Sequence, residues 1–165
     1  WNVPPSIVQK EIIPGIKRDS NYISKHNMEI TSTSNGIPNV RQKPGGGNSL
    51  GHVKFLFPNS FDIYLHDTPN HDLFSASSRG FSHGCIRLSE PKRLAEFLLR
   101  NDTSWNETRI DTSMNAHKEI CVTLNKPVPV FITYFTAWVD GDGQLNFRKD
   151  IYGHDAKLAD KLFLK

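Results

Sequence analysis

The sequence lacks several features that mark specialised classes of protein. It has only 2 cysteines in 165 residues, which excludes a framework of several disulfides. Its 20 lysines and arginines nearly balance its 17 acidic residues and form no long basic block, so nucleic-acid binding is not indicated. The uncharged run from Val128 to Val139 is shorter than the roughly 20 apolar residues of a membrane-spanning helix. With 37% hydrophobic residues, the composition predicts one folded soluble domain over residues 1–165.

The order of apolar residues, prolines and glycines predicts a mainly β fold. Prolines and glycines interrupt residues 1–60, which favours short strands and loops there over long helices. Alternating or continuous apolar residues predict strands at 61–66, 119–124 and 128–139. Ser89 and the following Pro91 favour the start of an amphipathic helix, and a second short helix is expected near 155–162. We therefore expect a β-sandwich or mixed sheets with one or two short helices.

Three further segments are best interpreted as loops. The polar segment 17–39 predicts a long surface excursion, which is either a lid over a site or a plain exposed loop. The glycine run 45–47 lacks the Lys-Ser/Thr that a phosphate-binding loop requires, so we expect no nucleotide there. The acidic turn 140–143 lacks the later glycine and glutamate of a calcium-binding loop and predicts a hairpin turn.

Two histidines and a cysteine are concentrated in one short segment. An imidazole close to a thiol can take its proton or stabilise the thiolate, which makes cysteine a nucleophile. His83 and Cys85 share a face if the backbone is extended, and Gly84 between them permits a tight turn whose exposed amides suit an oxyanion hole. From these residues alone, three interpretations stay open: a nucleophilic cysteine, a zinc site using His66, His83 and Cys85, and a buried structural cysteine.

The wider segment YLHDTPNHDLFSASSRGFSHGCIRL, residues 64–88, resembles the signature of the L,D-transpeptidase catalytic domain, the YkuD-type family. That signature pairs an upstream histidine with Ser/Thr-His-Gly-Cys. The segments WNVPPSI, RQKPGGGNSLGHVKFLFPN and VPVFITYFTAWVDGDGQLNFRKDIYG resemble the large periplasmic branch of the family, so the likeness covers most of the chain. Members of that branch usually carry further N-terminal regions, which we expect to lie outside this sequence. Relatives carry a lid near the position of segment 17–39, which looks shorter here.

The resemblance implies the catalytic roles. Cys85 is the nucleophile, and His66 is the general base. The carbonyl of Asp67 would hold the other ring nitrogen of His66 and fix its tautomer. Backbone amides around Gly84 and Cys85 would receive the oxyanion, and His83 would shape the loop that carries them. The candidate catalytic residues are therefore Cys85, His66, His83 and Gly84.

The resemblance also implies residues that contact the substrate. Arg87 follows the motif, where its guanidinium suits a substrate carboxylate, although a structural ion pair is the alternative. Tyr64 shares a strand face with His66 and is expected to line the donor pocket unless it belongs to the core. Ser82 and Asp67 complete the candidate substrate-binding group. The second cysteine, Cys121, alternates with apolar residues and is expected to be an inert free thiol.

The function implied by the resemblance is L,D-transpeptidation in peptidoglycan biosynthesis, a process of cell-wall biogenesis that determines cell shape. The enzyme would attack a tetrapeptide stem, release D-alanine and form a 3→3 cross-link to the amine of a second stem. The resemblance further implies acylation by carbapenems, a periplasmic or cell-envelope location, and no metal or organic cofactor. The alternatives are a thiol-dependent carboxypeptidase or cross-link hydrolase of the same fold, and a non-catalytic wall-binding module.

Overall fold

The computed structural model describes residues 1–81 and 84–163. They fall into two compact units, Trp1–Val128 and the residues from Pro129 onward. The helices are α1 (Pro5–Ile7), a π-helical segment (Val8–Ile12), α2 (Ile13–Arg18), α3 (Tyr22–Lys25), a 3-10 helix (His71–Ser75), α4 (Pro91–Leu99), α5 (Glu107–Met114) and α6 (His154–Phe163). The strands are β1 (Met28–Ser34), β2 (Ile37–Gln42), β3 (Lys54–Phe55), β4 (Leu65–His66), β5 (Ile86–Arg87), β6 (Ala137–Val139) and β7 (Leu145–Phe147).

The chain has a continuous helical run from α1 to α2, so the expectation of short strands and loops rather than long helices in residues 1–60 is wrong for residues 5–18. Both prolines of the run lie in first-turn positions, Pro5 in α1 and Pro14 in α2. At Pro5, which opens the run, a proline is tolerated because its missing N–H would have no intrahelical partner. Pro14 lies two positions after the end of the π-helical segment Val8–Ile12, whose wider turn leaves room for the proline ring. The number of prolines therefore does not exclude a helix here, because their positions within it decide whether they are tolerated.

The core of the first unit is formed by this helical run and the β1–β2 hairpin. Its buried members are all aliphatic or Met side chains: Val3, Ile7, Val8, Ile12, Met28 and Val40. Segment 17–39, expected as an irregular excursion, instead contains the end of α2, all of α3, and most of the antiparallel hairpin. Met28 and Tyr22 from this segment pack in or against the core. The segment is thus partly integrated into the fold, because most of its few apolar residues pack in or against the core, whereas Ile30 stays exposed.

Gly15 and Tyr22 give a stability prediction for this core. A Cβ at Gly15 would lie 2.5 Å from the Tyr22 ring, which stacks on His26. Alanine gains about 1 kcal/mol of helix propensity over glycine, but overpacking costs about 1–3 kcal/mol. We expect Gly15→Ala to lower the free energy of unfolding by about 1 kcal/mol in urea denaturation. Gly46→Ala is the control, since a Cβ there meets nothing within 4 Å; greater stability of Gly15→Ala would contradict the packing argument.

The first unit also contains a small three-stranded sheet, in the order β3-β4-β5. Strand β4 is central: it pairs antiparallel with β3, where His66 faces Lys54, and parallel with β5, where His66 faces Arg87. The ladder continues past β5, because the Leu88 amide donates to the His66 carbonyl at 2.8 Å. This sheet brings two segments of the candidate site side by side.

The strand predicted at 61–66 is confirmed only at its end, where β4 covers Leu65–His66. The side chain of Asn59 explains the difference. Its Oδ1 accepts from the amides of Phe61 and Ile63, and its Nδ2 donates to the Ile63 carbonyl at 2.8 Å. Asp62 adopts a positive φ of 53°, which no strand residue does. An asparagine turn therefore replaces the first part of the strand.

The strand predicted at 119–124 is absent from the described structure, and the one predicted at 128–139 is reduced to β6. Apolar content alone does not make a strand, since each strand also needs a neighbour for its backbone hydrogen bonds. Pro127 and Pro129 have no N–H to give to such a ladder. Phe131 and Ile132 are exposed.

The helix expected after Ser89 is confirmed as α4, with Pro91 in its first turn, but its N-cap is Glu90 and not Ser89, and no side chain caps it. It is followed by α5, which sequence analysis did not predict and whose N-terminus is capped by Asn106 accepting from the Arg109 amide. Lys92 joins the two helices through ion pairs of 3.3 Å to Glu107 and Asp111.

In the second unit the hairpin turn at 140–143 is confirmed between β6 and β7. Asp140 accepts from the amides of Asp142 and Gln144 and from the side chain of Asn146, so the acidic residue organises the turn. The short C-terminal helix is also confirmed as α6, starting at His154.

The expectation of a mainly β fold is met only in part, because helices hold more residues than the strands, which form small separate sheets. Within residues 1–81 and 84–163, no helix is both long and apolar enough to cross a membrane.

Candidate functional site

His66 is the most deeply buried of the candidate catalytic residues that the structure describes, with 4% of its surface exposed. It ends β4, the central strand of the small sheet, so its backbone is held from both sides. Its Nδ1 donates to the backbone carbonyl of Asp67, the hydrogen bond that the sequence predicts. With the proton on Nδ1, the neutral ring carries a lone pair on Nε2, which is the form that accepts a proton.

The surroundings of His66 favour its neutral form. Burial lowers the pKa of His66 below its ordinary value of 6.5, and the positive charge of Arg87 on β5 lowers it further. The hydrogen bond to the Asp67 carbonyl and the charge of Asp67 oppose this effect without cancelling it. A neutral imidazole at pH 7 is the state required of a general base.

Cys85 lies immediately before β5 and is half-buried. Its sulfur lies 3.9 Å from the backbone carbonyl of Asp62, to which the thiol donates weakly. Gly84 precedes it with a φ of 135°, a conformation that residues with a Cβ rarely adopt. The backbone therefore turns at the position where the sequence predicts exposed amides, and the glycine is required for that turn.

Tyr64 connects the histidine and the cysteine. Its ring packs edge-on against the His66 ring, with centroids 5.8 Å apart. Burial, together with the charge and hydrogen bonding of the neighbouring Cys85, raises the pKa of Tyr64 to about 12. The phenol is thus protonated at neutral pH and offers its O–H beside the sulfur. The side chain is not part of the aliphatic core cluster described for the first unit.

Arg87 faces His66 in the register of β4 and β5. Its Nε and Nη1 atoms are shielded from solvent and have no hydrogen-bond partner among the described residues. A solvent-shielded N–H donor without an acceptor is costly, because it has lost its hydrogen bonds to water without gaining others. Neither of these two atoms makes the ion pair considered as an alternative within residues 1–81 and 84–163.

Asp67 is 3% exposed, and its carboxylate faces the loop before β3 instead of solvent. Its Oδ2 accepts from the His52 amide at 2.8 Å, and its Oδ1 accepts from the Thr68 amide at 2.7 Å. Gly51 adopts a φ of 61°, and a Cβ on it would lie 2.5 Å from the Cβ of Asp67. The carboxylate therefore binds other parts of the chain. The sequence did not predict these contacts.

The glycine-rich loop at 45–47 is organised by buried amide side chains. Gln42 donates to the Gly47 carbonyl at 3.1 Å and accepts from the Ser49 amide, while Asn48 donates to the Lys43 carbonyl at 2.9 Å. Both are nearly inaccessible to solvent. These bonds hold the loop that leads to the Asp67 contacts.

The remaining candidates lie elsewhere. Ser82 and His83 are outside the described residues. Cys121 is an exposed free thiol, and Cys85 is also unpaired. Among residues 1–81 and 84–163, no three histidine, cysteine or acidic side chains are grouped as metal ligands.

Comparison with known proteins gives two findings. Residues 1–132 match the family model described as the L,D-transpeptidase catalytic domain, YkuD. The chain is 35% identical to a Haemophilus influenzae protein named "Putative L,D-transpeptidase", with 96% of this chain and 35% of that protein covered. The chain thus spans about a third of the length of this curated relative.

Proposed function

The chain belongs to the YkuD L,D-transpeptidase catalytic domain family, and on that premise we propose that it forms 3→3 cross-links between peptidoglycan stems in the bacterial cell envelope. The observation that carries the proposal is the environment of His66: a buried, neutral imidazole whose Nδ1 is held by the Asp67 carbonyl. Such a group is prepared to accept one proton through Nε2. Cys85, adjoining the neighbouring strand β5, supplies the thiol from which that proton would come.

The first half-reaction makes an acyl-enzyme. The Cys85 sulfur attacks the carbonyl carbon of the third residue of a tetrapeptide stem, and the thiol proton passes to His66. The tetrahedral intermediate collapses by breaking the C–N bond to the terminal D-alanine. The leaving amine takes the proton from His66, and a thioester remains on Cys85. Backbone amides at Gly84 and Cys85 receive the oxyanion, as the turn at Gly84 permits.

The second half-reaction transfers the acyl group. The side-chain amine of an acceptor stem attacks the thioester and gives a proton to His66. The C–S bond breaks, the sulfur recovers the proton, and an amide cross-link is formed. The Tyr64 hydroxyl lies beside the sulfur, where it can hydrogen-bond the thiolate that leaves. Water in place of the amine gives a tripeptide, which is the carboxypeptidase alternative.

Arg87 is proposed to bind a carboxylate of the donor stem through its two solvent-shielded, unpaired donors. The same thiol and pocket would accept a carbapenem, whose ring carbonyl is attacked in place of the peptide. His83 and Ser82 would shape the edge of the donor site. These assignments rest on the family resemblance and on the burial of Arg87.

Replacing Arg87 separates binding from folding. We expect Arg87→Met to lower kcat/KM by about tenfold to hundredfold, chiefly through KM, because a charge-assisted bidentate contact is worth about 1.5–3 kcal/mol. Since the buried donors lack partners in the described protein, the same variant should unfold at no lower urea concentration than the wild type. Arg87→Lys keeps the charge but not the fork and should recover only part of the activity. A strongly destabilised Arg87→Met would mean that Arg87 is a structural residue.

The function is tested with purified disaccharide-tetrapeptide muropeptides and product analysis by liquid chromatography and mass spectrometry. A dimer that has lost one D-alanine would support transpeptidation, whereas tripeptide monomer alone would show that water is the acceptor. Binding of the muropeptides without any turnover would favour a wall-binding module. Metal analysis of the same sample tests the zinc alternative, which predicts one equivalent of metal.

A further inference from the structure

Asp67 follows His66 directly in the chain, and the catalytic scheme above gives its buried carboxylate no role. Both of its oxygens accept hydrogen bonds from backbone amides, one from His52 and one from Thr68. His71 approaches it from the solvent side, with Nε2 3.5 Å from Oδ1. A carboxylate at 3% exposure that binds amides of two separate segments joins those segments, here residues 51–52 and the end of β4.

The bond to Thr68 bears on His66 through the geometry of the peptide unit. The amide of Thr68 and the carbonyl of Asp67 belong to the same planar group, in which N–H and C=O point in opposite directions. When Oδ1 holds the N–H of this unit at 2.7 Å, it also fixes the direction of the C=O. That C=O is the acceptor of the His66 Nδ1 proton. The side chain and the imidazole are therefore coupled through one rigid group.

Gly51 limits the position of the carboxylate from the opposite side. Its φ of 61° and the absence of a Cβ let the backbone approach Asp67 so closely that any side chain would overlap with the carboxylate. The Asp67 amide in turn donates to the Val53 carbonyl at 2.9 Å, which fixes the peptide unit before Asp67 as well. The loop 51–53 and Asp67 thus hold each other at three points.

We infer that Asp67 is a positioning residue for His66: its carboxylate, held by two backbone amides and packed against Gly51, aims the carbonyl that orients the imidazole. The inference rests on the proposed role of His66 as the general base. The carboxylate does not touch the reacting atoms. It sets the direction in which Nε2 points, and a small error in that direction is expensive, because misplacement by about 1 Å can cost about a hundredfold in rate.

The decisive variant is Asp67→Asn. The carboxylate accepts hydrogen bonds from two backbone amides, those of His52 and Thr68, but asparagine has only one acceptor oxygen. Its NH₂ group would therefore face the second N–H, and two donors cannot hydrogen-bond each other. The carbonyl of residue 67 would then be released, and the negative charge near His66 would be lost. Both the hydrogen bond and that charge raise the pKa of His66, so the pKa of His66 should fall further in the variant. Arg87 on β5 and Lys54 on β3, the cations in register with His66, stay unchanged.

A second variant separates position from charge. Gly51→Ala displaces the carboxylate while leaving the charge of Asp67 in place. Gly36→Ala is the matched control, because Gly36 also has a positive φ, of 76°, but a Cβ there meets nothing within 4 Å. The three proteins are compared by muropeptide kinetics and by NMR titration of the His66 ring nitrogens.

The inference expects kcat to fall by about tenfold to hundredfold in both Asp67→Asn and Gly51→Ala, with KM within about twofold and Gly36→Ala unaffected. It also expects a lower His66 pKa in Asp67→Asn. A folded Asp67→Asn protein with an unchanged His66 pKa and an unchanged kcat would overturn the inference. A loss of kcat in Asp67→Asn but not in Gly51→Ala would also overturn it, because the loss would then come from the removed charge and not from the position of the carboxylate. Failure of both variants to fold while Gly36→Ala folds would show that the contacts serve the fold and not the histidine. The titration reads His66 without turnover, so the result stands apart from failure of the proposed function.

Discussion

Replacing Cys85 by alanine is expected to lower the rate of D-alanine release by at least about 10⁴-fold, because no acyl-enzyme can form without its sulfur. Binding of the stem peptide should persist, since Arg87 and Tyr64 are left in place. The measurement is release of D-alanine from tetrapeptide muropeptide, together with the intact mass of the protein after incubation. The wild type should gain the mass of the acyl group, and Cys85→Ala should gain none.

The chain carries its own control for this experiment. Cys121 is also a free thiol and is more exposed than Cys85, so a nonspecific thiol reagent would modify it readily. Cys121→Ala should keep the wild-type rate within about twofold, as a surface substitution usually does. Turnover that survives in Cys85→Ala but disappears in Cys121→Ala would identify Cys121 as the nucleophile and contradict the proposed site.

Replacing His66 by glutamine should lower kcat by about 10²–10⁴-fold, the usual contribution of a general base. Glutamine keeps a hydrogen-bond donor for the Asp67 carbonyl but has no group that takes up a proton near pH 7. Thermal unfolding checks that the variant is folded, so that a lost proton acceptor is not confused with a lost site. Activity near the wild-type level in a folded His66→Gln protein would remove His66 from the mechanism.

The pH profile of the wild type follows from the same residue. Burial and Arg87 lower the pKa of His66 below 6.5, so the ring becomes protonated only at a pH under that value. Since the base must be neutral, kcat/KM should stay level from pH 7 down past 6.5 and then fall as the pH decreases further. His66→Gln should lack this acidic limb. A limb centred above 6.5, or one that survives in His66→Gln, would point to a different titrating group.

The sequence located much of the candidate site because the chemistry depends on residue types at fixed spacing. The signature at 64–88 singled out His66, Cys85 and Arg87, and the structure places their segments on or next to the paired strands β4 and β5. The hydrogen bond from His66 to the Asp67 carbonyl also follows the resemblance. The catalytic roles themselves stay predictions, as does everything that concerns Ser82 and His83.

Other features were beyond the reach of patterns, for identifiable physical reasons. The presence of Pro5 and Pro14 in the sequence suggests loops, but their positions in the first turns of α1 and α2 make them compatible with helices. The strand expected at 61–66 was shortened by a local competitor, the side chain of Asn59. The contacts of Asp67 with Gly51 and His52 join segments separated along the chain, and no periodicity encodes such a tertiary contact.

The parallel pairing of β4 with β5 has a consequence for the order in which the protein folds during synthesis. The core helices and the β1–β2 hairpin are complete at Gln42, whereas His66 obtains its second neighbour only when Arg87 has been synthesised and the intervening loop has closed. Closing that loop costs conformational entropy before the backbone hydrogen bonds between β4 and β5 can offset the cost. On the ribosome the scaffold can therefore collapse first, and His66 is brought beside β5 only in a later step. The two-residue strands add few bonds to offset that entropy, so assembly of the candidate site depends on contacts around it, including those of Asp67.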